Sequence, residues 1–151
     1  MKLLCDHMLG SLARWLRFMG YDTAYPAPGP DRTLIELVRS EGRILLTRDK
    51  ELAHRVRGAV QIRSDELEEQ IREVARVLPL QLIDPLSRCS LCNEVLMPAS
   101  PDEVKDLVPA GVRSRHQAFW RCPSCRRVYW QGSHWDKMVA RLNDLDLQRA
   151  P

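Results

Sequence analysis

The segment Gly42-Arg43-Ile44-Leu45-Leu46-Thr47-Arg48-Asp49 decides the fold. Its three apolar residues follow one another without a polar break, which predicts a strand over 43–47 that is buried on both faces, as in a parallel sheet. Gly42 ends the preceding segment, and Asp49 stands where the chain leaves the strand. Ligands of open α/β sheets bind outside the carboxyl ends of the strands, so this acid is a candidate functional residue.

The same alternation of short strands and helices extends over the first 80 residues. Strands are predicted at 2–6, 22–25, 43–47 and 59–63, and each is followed by a helical apolar pattern. This order predicts an α/β fold with a mostly parallel sheet and helices on both faces. Composition changes between Pro79 and Pro85, which places a first domain at 1–80, a linker at 81–86 and a cysteine-rich module at 87–151 with a final helix near 135–142.

One aspartate follows each predicted strand, and the four are Asp6, Asp31, Asp49 and Asp65. Helix capping explains Asp31 individually, and either Ser64 or Asp65 is predicted to cap the fourth helix. Capping explains Asp6 and Asp49 less well, because each directly ends an apolar strand. If the strands are parallel neighbours, all four acids converge at one edge of the sheet.

Converging carboxylates repel one another unless a cation lies among them. Hard oxygen ligands suit Mg²⁺ or Mn²⁺, which can activate water and stabilise the leaving oxygen of a phosphodiester. We therefore predict catalytic roles for the four aspartates and ligation of Mg²⁺ or Mn²⁺ by Asp6, Asp31 and Asp49. The nearby cations Arg14, Arg17 and Arg48 are candidate phosphate ligands.

Four of the five cysteines form two Cys-x-x-Cys pairs, Cys89 with Cys92 and Cys122 with Cys125. Two such pairs can close a tetrahedral site, which predicts a small zinc ribbon with a structural Zn²⁺. The spacer between the pairs has room for a small helix at 101–108. A redox pair and free thiols are the alternatives, and Cys5 is interpreted as a small buried residue.

Five arginines and no acid lie within 113–127, although the whole chain carries a formal charge of only +3. Five aromatic residues lie within 119–135. Exposed rings beside arginines can stack on unpaired bases, so this region is a candidate RNA-binding surface. A solvated surface and counter-charge for the zinc thiolates are the alternatives. The residues proposed to contact substrate here are Arg113, Arg115, Arg121, Trp130 and His134.

Several long segments resemble the Mut-seven-C RNase domain family of PIN-like nucleases. In the first half they are Met8-Leu9-Gly10-Ser11-Leu12-Ala13-Arg14-Trp15-Leu16-Arg17 after Asp6, then Gly20-Tyr21-Asp22-Thr23, and then Glu41-Gly42-Arg43-Ile44-Leu45-Leu46-Thr47-Arg48-Asp49. In the cysteine-rich half they are Phe119-Trp120-Arg121-Cys122-Pro123 and Tyr129-Trp130-Gln131-Gly132-Ser133-His134-Trp135. The resemblance implies a PIN-like fold with a fused zinc ribbon and metal-dependent RNA cleavage. By the same resemblance Asp6 and Asp49 match the strand-end acids, Asp31 the acid before the second helix, and Asp65 matches by position.

The leading hypothesis is a Mg²⁺- or Mn²⁺-dependent ribonuclease, with endonucleolytic cleavage favoured but not distinguished from exonucleolytic cleavage by the residues. The alternative is a noncatalytic RNA-binding adaptor that uses the zinc ribbon. A receiver domain fits less well because no acid pair follows the first strand, and a haloacid-dehalogenase phosphatase because residue 8 is Met. No apolar run is long enough for a membrane span, so we expect a cytoplasmic protein. The sequence does not determine the oligomeric state.

Overall fold

The computed structural model describes residues 1–147 and alternates strands with helices through its first half. The strands are β1 (Lys2–Cys5), β2 (Asp22–Ala24), β3 (Ile44–Thr47), β4 (Val60–Gln61), β5 (Met97–Ala99), β6 (Phe119–Arg121) and β7 (Val128–Tyr129). The helices are α1 (Gly10–Phe18), α2 (Asp31–Glu41), α3 (Lys50–Arg55), α4 (Leu67–Ala75), α5 (Ala110–Arg115) and α6 (Ser133–Asp144).

The first four strands form a parallel sheet in the order β2-β1-β3-β4. Alternate residues of β1 enter different cores: Leu3 and Cys5 pack in one cluster, and Leu4 packs in the other. The first cluster includes residues of α1, α4 and α6, and the second includes residues of α2 and α3. The predicted parallel α/β sheet with helices on both faces is therefore confirmed.

Two helix starts differ from the sequence-based predictions. Pro30 occupies the N-cap of α2, so Asp31 is the first residue of the helix rather than its cap. The fixed φ of proline and its missing N–H suit this boundary. Glu66, rather than Ser64 or Asp65, is the N-cap of α4. The Ser64 hydroxyl instead accepts a hydrogen bond from the Glu66 N–H in the turn before that helix.

The cysteine-rich half contains a three-stranded antiparallel sheet in the order β5-β6-β7. The prediction of a small helix at 101–108 is wrong. Residues 101–107 form successive turns, and the helix of this region is α5. Val104 and Val108 are buried by these turns against Phe119 of β6. The contacts of Val104 and Val108 with Phe119 are therefore made by irregular turns and do not require a regular helix.

The helix α6 packs on the parallel sheet's first core rather than on the small sheet. Leu142 and Leu145 are buried in the cluster that contains Leu12 and Leu16 of α1. The guanidinium of Arg141 lies 5.3 Å from the centre of the Trp15 ring. The limits of 1–80 and 87–151 for two domains remain a prediction, but the final helix shares its hydrophobic core with the first part. No helix within residues 1–147 is both long and apolar enough to cross a membrane.

Candidate active site and metal centre

The strand order places a topological switch point between β1 and β3. The chain leaves β1 toward β2 on one side, whereas β3 and β4 lie on the other side. In open parallel sheets, the crevice that binds ligands opens at the carboxyl ends of the two strands flanking this point. Asp6 directly follows β1, and Asp49 comes two residues after β3.

Asp6 is buried, with 7% of the residue exposed, and its carboxylate is held by three hydrogen bonds. Its Oδ2 accepts from the hydroxyl of Thr47 at 2.9 Å. Its Oδ1 lies 2.6 Å from the backbone nitrogen of His7, which donates, and 2.8 Å from His7 Nδ1. A buried carboxylate fixed in this way is preorganised, because its orientation is set before any ligand arrives.

Thr47 connects the two strand-end acids, and sequence reasoning missed it. Its fully buried hydroxyl donates to Asp6 and accepts a 3.0 Å hydrogen bond from the backbone N–H of Asp49. The hydroxyl group therefore fixes the end of β3 relative to the end of β1. The sequence feature that could have indicated this role is a threonine at the end of an apolar strand, two residues before an acid.

Asp49 caps the following helix. Its Oδ1 accepts from the backbone N–H of Leu52 at 3.0 Å, and Asp49 is the N-cap of α3. Asp49 is therefore a helix cap, although the sequence favoured that role for Asp31 instead. The cap engages one carboxylate oxygen, and the side chain as a whole is exposed.

The other two acids do not join Asp6 and Asp49 in a single ligand cluster. Asp31 Oδ2 accepts from Arg55 Nη1 at 3.1 Å, in an exposed ion pair between α2 and α3. Asp65 is exposed in the turn that precedes α4. Among residues 1–147, the only group of three or more His, Cys, Asp or Glu side chains placed to hold a metal ion is formed by four cysteines.

A pocket of about 10 Å³, roughly the space for one water molecule, adjoins Asp6. It is lined by Asp6, His7, the proline-rich loop 26–30, Thr33 and Leu34. The loop begins beside Tyr25, whose hydroxyl donates to the His7 carbonyl at 2.6 Å. The pocket is therefore mostly apolar and lies directly against the fixed carboxylate.

The three arginines predicted to bind phosphate near this site differ in accessibility. Arg14 is exposed and Arg48 is half-buried, but Arg17 is only 5% exposed. Its guanidinium donates to the backbone carbonyls of Thr23, Ser90 and Leu91 at 2.8, 3.1 and 3.1 Å. These contacts give Arg17 a structural role inside the protein, and its contact with substrate remains a prediction.

The four cysteine sulfurs lie within 4.8 Å of one another, and this group could hold a metal ion. In each Cys-x-x-Cys loop the second cysteine's N–H approaches the first cysteine's Sγ at 3.4 Å. The residue after each pair, Asn93 or Arg126, has a left-handed backbone with φ of 66° or 64°. The two loops thus repeat one geometry, and four sulfur ligands in it fit Zn²⁺.

Tyr129 supports the first cysteine pair from β7. Burial raises the pKa of Tyr129 to about 12, so the phenol keeps its proton at neutral pH. Its hydroxyl oxygen lies 3.1 Å from Cys89 Sγ and accepts from the Ser90 N–H at 3.2 Å. A neutral phenol can donate to a thiolate, which stabilises a metal ligand from outside the coordination sphere. Cys5 is fully buried elsewhere, and burial raises the pKa of its thiol, as expected for an inert core residue.

The candidate RNA-binding residues of the cysteine-rich half are distributed over several elements. Arg115 and His134 are exposed, whereas Arg113, Arg121 and Trp130 are half-buried. The Trp130 ring packs 6.3 Å, centroid to centroid, from buried Phe119. Trp130 therefore has a packing role, and only its exposed part is available to a ligand.

A family model described as "Mut7-C RNAse domain" matches residues 1–142. The chain belongs to the Mut7-C RNAse domain family. The exonuclease mut-7 homolog of Homo sapiens is 32% identical over an alignment of 118 residues, and the match covers 71% of this chain and 13% of that protein. No solved structure matches the chain. The resemblance seen in the sequence is thus confirmed, and membership of the Mut7-C family supports a nuclease role.

Proposed function

We propose that this Mut7-C domain is a metal-dependent ribonuclease whose active centre is the crevice between the ends of β1 and β3. The observation that carries this proposal is the pair Asp6 and Asp49, joined through the Thr47 hydroxyl at the switch point of the sheet. Capping alone does not explain Asp6, which is buried, lies outside any helix start and accepts three hydrogen bonds.

The donor set of this crevice fits Mg²⁺ or Mn²⁺. Mg²⁺ is usually held by one or two carboxylates together with waters and substrate phosphates, so Asp6 and Asp49 suffice as protein ligands. When bound, such an ion polarises the scissile phosphate and lowers the pKa of water. In this arrangement Thr47 orients Asp6, and Asp49 presents the oxygen that its cap leaves unused. Asp31 and Asp65 lie outside this pair of ligands. In our proposal they move toward the metal only when substrate or metal is bound.

Two arginines complete the proposed centre. Arg14 lies on α1, the helix that follows Asp6, and Arg48 lies between β3 and Asp49; Arg14 is exposed and Arg48 is half-buried. We assign them to the phosphates on either side of the scissile bond, where a guanidinium stabilises developing negative charge. The proline-rich loop 26–30 beside Asp6 then packs against a base next to that bond, which favours unpaired RNA.

The proposed metal of the four-cysteine site is Zn²⁺ in a structural role. Four cysteine ligands leave no open position for substrate or water. The proposed place of action is the cytoplasm, where paired cysteines bind metal more often than they form disulfides.

We also propose that the arginine-rich part of the ribbon extends the RNA-binding surface. Replacing Arg113 and Arg115 together with Ala is expected to weaken RNA binding and to reduce the slope of log affinity against log salt by about 1 to 2. The measurement is fluorescence anisotropy with a labelled single strand over a series of salt concentrations. The control is Lys105→Ala, which removes a cation from the turns outside this region. An unchanged slope in the double variant would identify these arginines as part of a solvated surface.

The second candidate function is a noncatalytic RNA-binding adaptor. It is favoured by one observation, which is that the four acids form no common ligand cluster within the described residues. In this interpretation Asp49 is only a helix cap and the ribbon does the binding. Loss of RNA binding on removal of zinc, with no cleavage under any divalent metal, would support the adaptor.

The deciding experiment incubates the wild-type protein with single-stranded and structured RNA in Mg²⁺, Mn²⁺ or EDTA. We expect cleavage with either metal, none with EDTA, and a preference for the single strand. Sequencing of the RNA ends then distinguishes internal cuts, our endonuclease proposal, from stepwise removal of terminal nucleotides, as the name of the human relative suggests for that protein. Absence of cleavage in every condition would contradict the ribonuclease proposal.

A further inference from the structure

The free side of the edge strand β2 is covered by the loop of the first cysteine pair. The backbone N–H of Thr23 donates to Asn93 Oδ1 at 2.9 Å, and Asn93 Nδ2 donates to Asp22 Oδ1 at 2.7 Å. Asn93 immediately follows Cys92 and has a left-handed backbone, with φ of 66°. A side-chain amide thus takes the place of a neighbouring strand at the edge of the parallel sheet.

Arg17 joins the same two parts from the opposite direction. Its Nε donates to the carbonyl of Thr23, and its Nη1 donates to the carbonyls of Ser90 and Leu91. These two carbonyls belong to the residues between Cys89 and Cys92, so their positions depend on the metal-binding loop. Both backbone polar groups of Thr23 are therefore held by the loop, one directly and one through Arg17.

Charge strengthens this junction. Asp22 Oδ1 also accepts from Arg43 Nη1 at 2.8 Å, and Arg88 Nη1 donates to the Asn93 carbonyl at 2.9 Å. Burial raises the pKa of the Asp22 carboxyl, but hydrogen bonds from Arg43 and Asn93 outweigh this effect and lower the pKa overall. The junction therefore contains an ionised carboxylate at neutral pH that fixes the Asn93 side chain.

The strand held by this junction leads directly to the candidate active site. Tyr25 follows β2, and its hydroxyl donates to the carbonyl of His7, the residue next to Asp6. The ring packs on Gly10, where an added Cβ would lie 2.9 Å from the Tyr25 hydroxyl oxygen. The next residues, 26–30, form the wall of the pocket beside Asp6.

We propose that Asn93 is a positioning residue through which the zinc-bound loop holds β2 and, with it, Tyr25 and the proline-rich wall of the pocket beside Asp6. The step from β2 to the pocket rests on the proposed ribonuclease function. The step from zinc to β2 is independent of that function, because it depends only on contacts of Asn93 and Arg17. Zinc in this protein then acts on the active site without touching substrate.

The second cysteine pair provides a matched control. Arg126 occupies the position equivalent to Asn93, with φ of 64°, and its N–H bonds to the Cys122 carbonyl at 2.9 Å just as the Asn93 N–H bonds to that of Cys89. Its side chain is exposed and makes no hydrogen bond to the parallel sheet within the described residues. Glycine tolerates positive φ, so Asn93→Gly and Arg126→Gly each remove a side chain without straining the loop.

The experiment measures hydrogen exchange of the Thr23 amide by NMR in the zinc-loaded protein. Asn93→Gly is expected to speed this exchange by about tenfold, the loss expected for one hydrogen bond, whereas Arg126→Gly leaves it unchanged. The zinc content of both variants should equal that of the wild type. Equal Thr23 exchange in the two variants would overturn the proposal.

A second measurement separates this proposal from the proposed function. If the proline-rich loop packs against a base beside the scissile bond, Asn93→Gly should raise KM several-fold and leave kcat nearly unchanged, because uniform substrate binding is lost. Thr23 exchange that is faster in Asn93→Gly, together with a wild-type protein that shows no ribonuclease activity, would contradict the proposed function. The coupling between the zinc-bound loop and β2 would still hold. Faster exchange with an unchanged KM would overturn the coupling to the pocket.

Discussion

Replacing Asp49 with Asn is expected to remove most of the RNA cleavage activity while leaving the fold unchanged. Asn is as good an N-cap as Asp, so the hydrogen bond to the Leu52 N–H persists and the free energy of unfolding should change by less than about 1 kcal/mol. Loss of the charge removes a proposed metal ligand, and we expect activity to fall by a factor on the order of 10² to 10³.

The companion variant Asp6→Asn should lose activity to the same extent but cost more stability. The carboxylate accepts from both His7 and Thr47, whereas an amide offers one acceptor oxygen. The measurements are initial rates of RNA cleavage with Mn²⁺ and thermal unfolding of each variant. Asp136→Asn, which changes an exposed acid in the first turn of α6, is the control and should retain full activity. Undiminished cleavage by well-folded Asp49→Asn would show that the reaction occurs at a different site.

Replacing Cys125 with Ser is expected to release the zinc and unfold the cysteine-rich half. Cys125 is exposed, so the substitution removes little buried surface, and any large loss of stability is attributable to the metal. Structural zinc supplies folding free energy directly, about 10–16 kcal/mol in isolated zinc-finger peptides. Elemental analysis of protein purified without chelator should give about one zinc per chain in the wild type and close to none in the variant.

The matched control for this change is Ser124→Ala, one residue earlier in the same exposed loop. It should retain zinc and unfold at the temperature of the wild type. A wild-type protein that contains no zinc would refute the assignment of the metal. A zinc-free Cys125→Ser variant with unchanged unfolding would instead show that the ribbon folds on its apolar contacts alone.

The sequence predicted the parallel sheet because the relevant signal is local. Apolar runs such as Ile44 to Leu46 and the turn at Gly42 are visible in a few residues, and the observed strand β3 agrees with them. The metal site could be predicted from the two cysteine pairs in the same way, because metal ligands of this kind occur at short, fixed spacing. Both predictions depended on residues that are neighbours in the chain.

Two features that the sequence did not reveal involve partners that are distant in the chain. Arg17 was expected to face solvent because it lies off the apolar stripe of its helix, but it reaches carbonyls 73 and 74 residues further on. Backbone carbonyls leave no mark in a sequence, so no pattern could indicate them. The role of Thr47 was hidden for a related reason, because one hydroxyl at a strand end has many possible partners until the neighbouring strand is known.

The packing of α6 has a consequence for how the chain folds during synthesis. Leu142 and Leu145 complete a core whose other members include Leu3, Leu12 and Leu16, so contacts across about 130 residues close it. Translation proceeds at about 5–20 residues per second, and contacts of long sequence separation form slowly. The parallel sheet must therefore wait for many seconds on the ribosome with one apolar surface uncovered, while the metal-binding half emerges and folds in between. Chaperone binding during this interval would protect that surface.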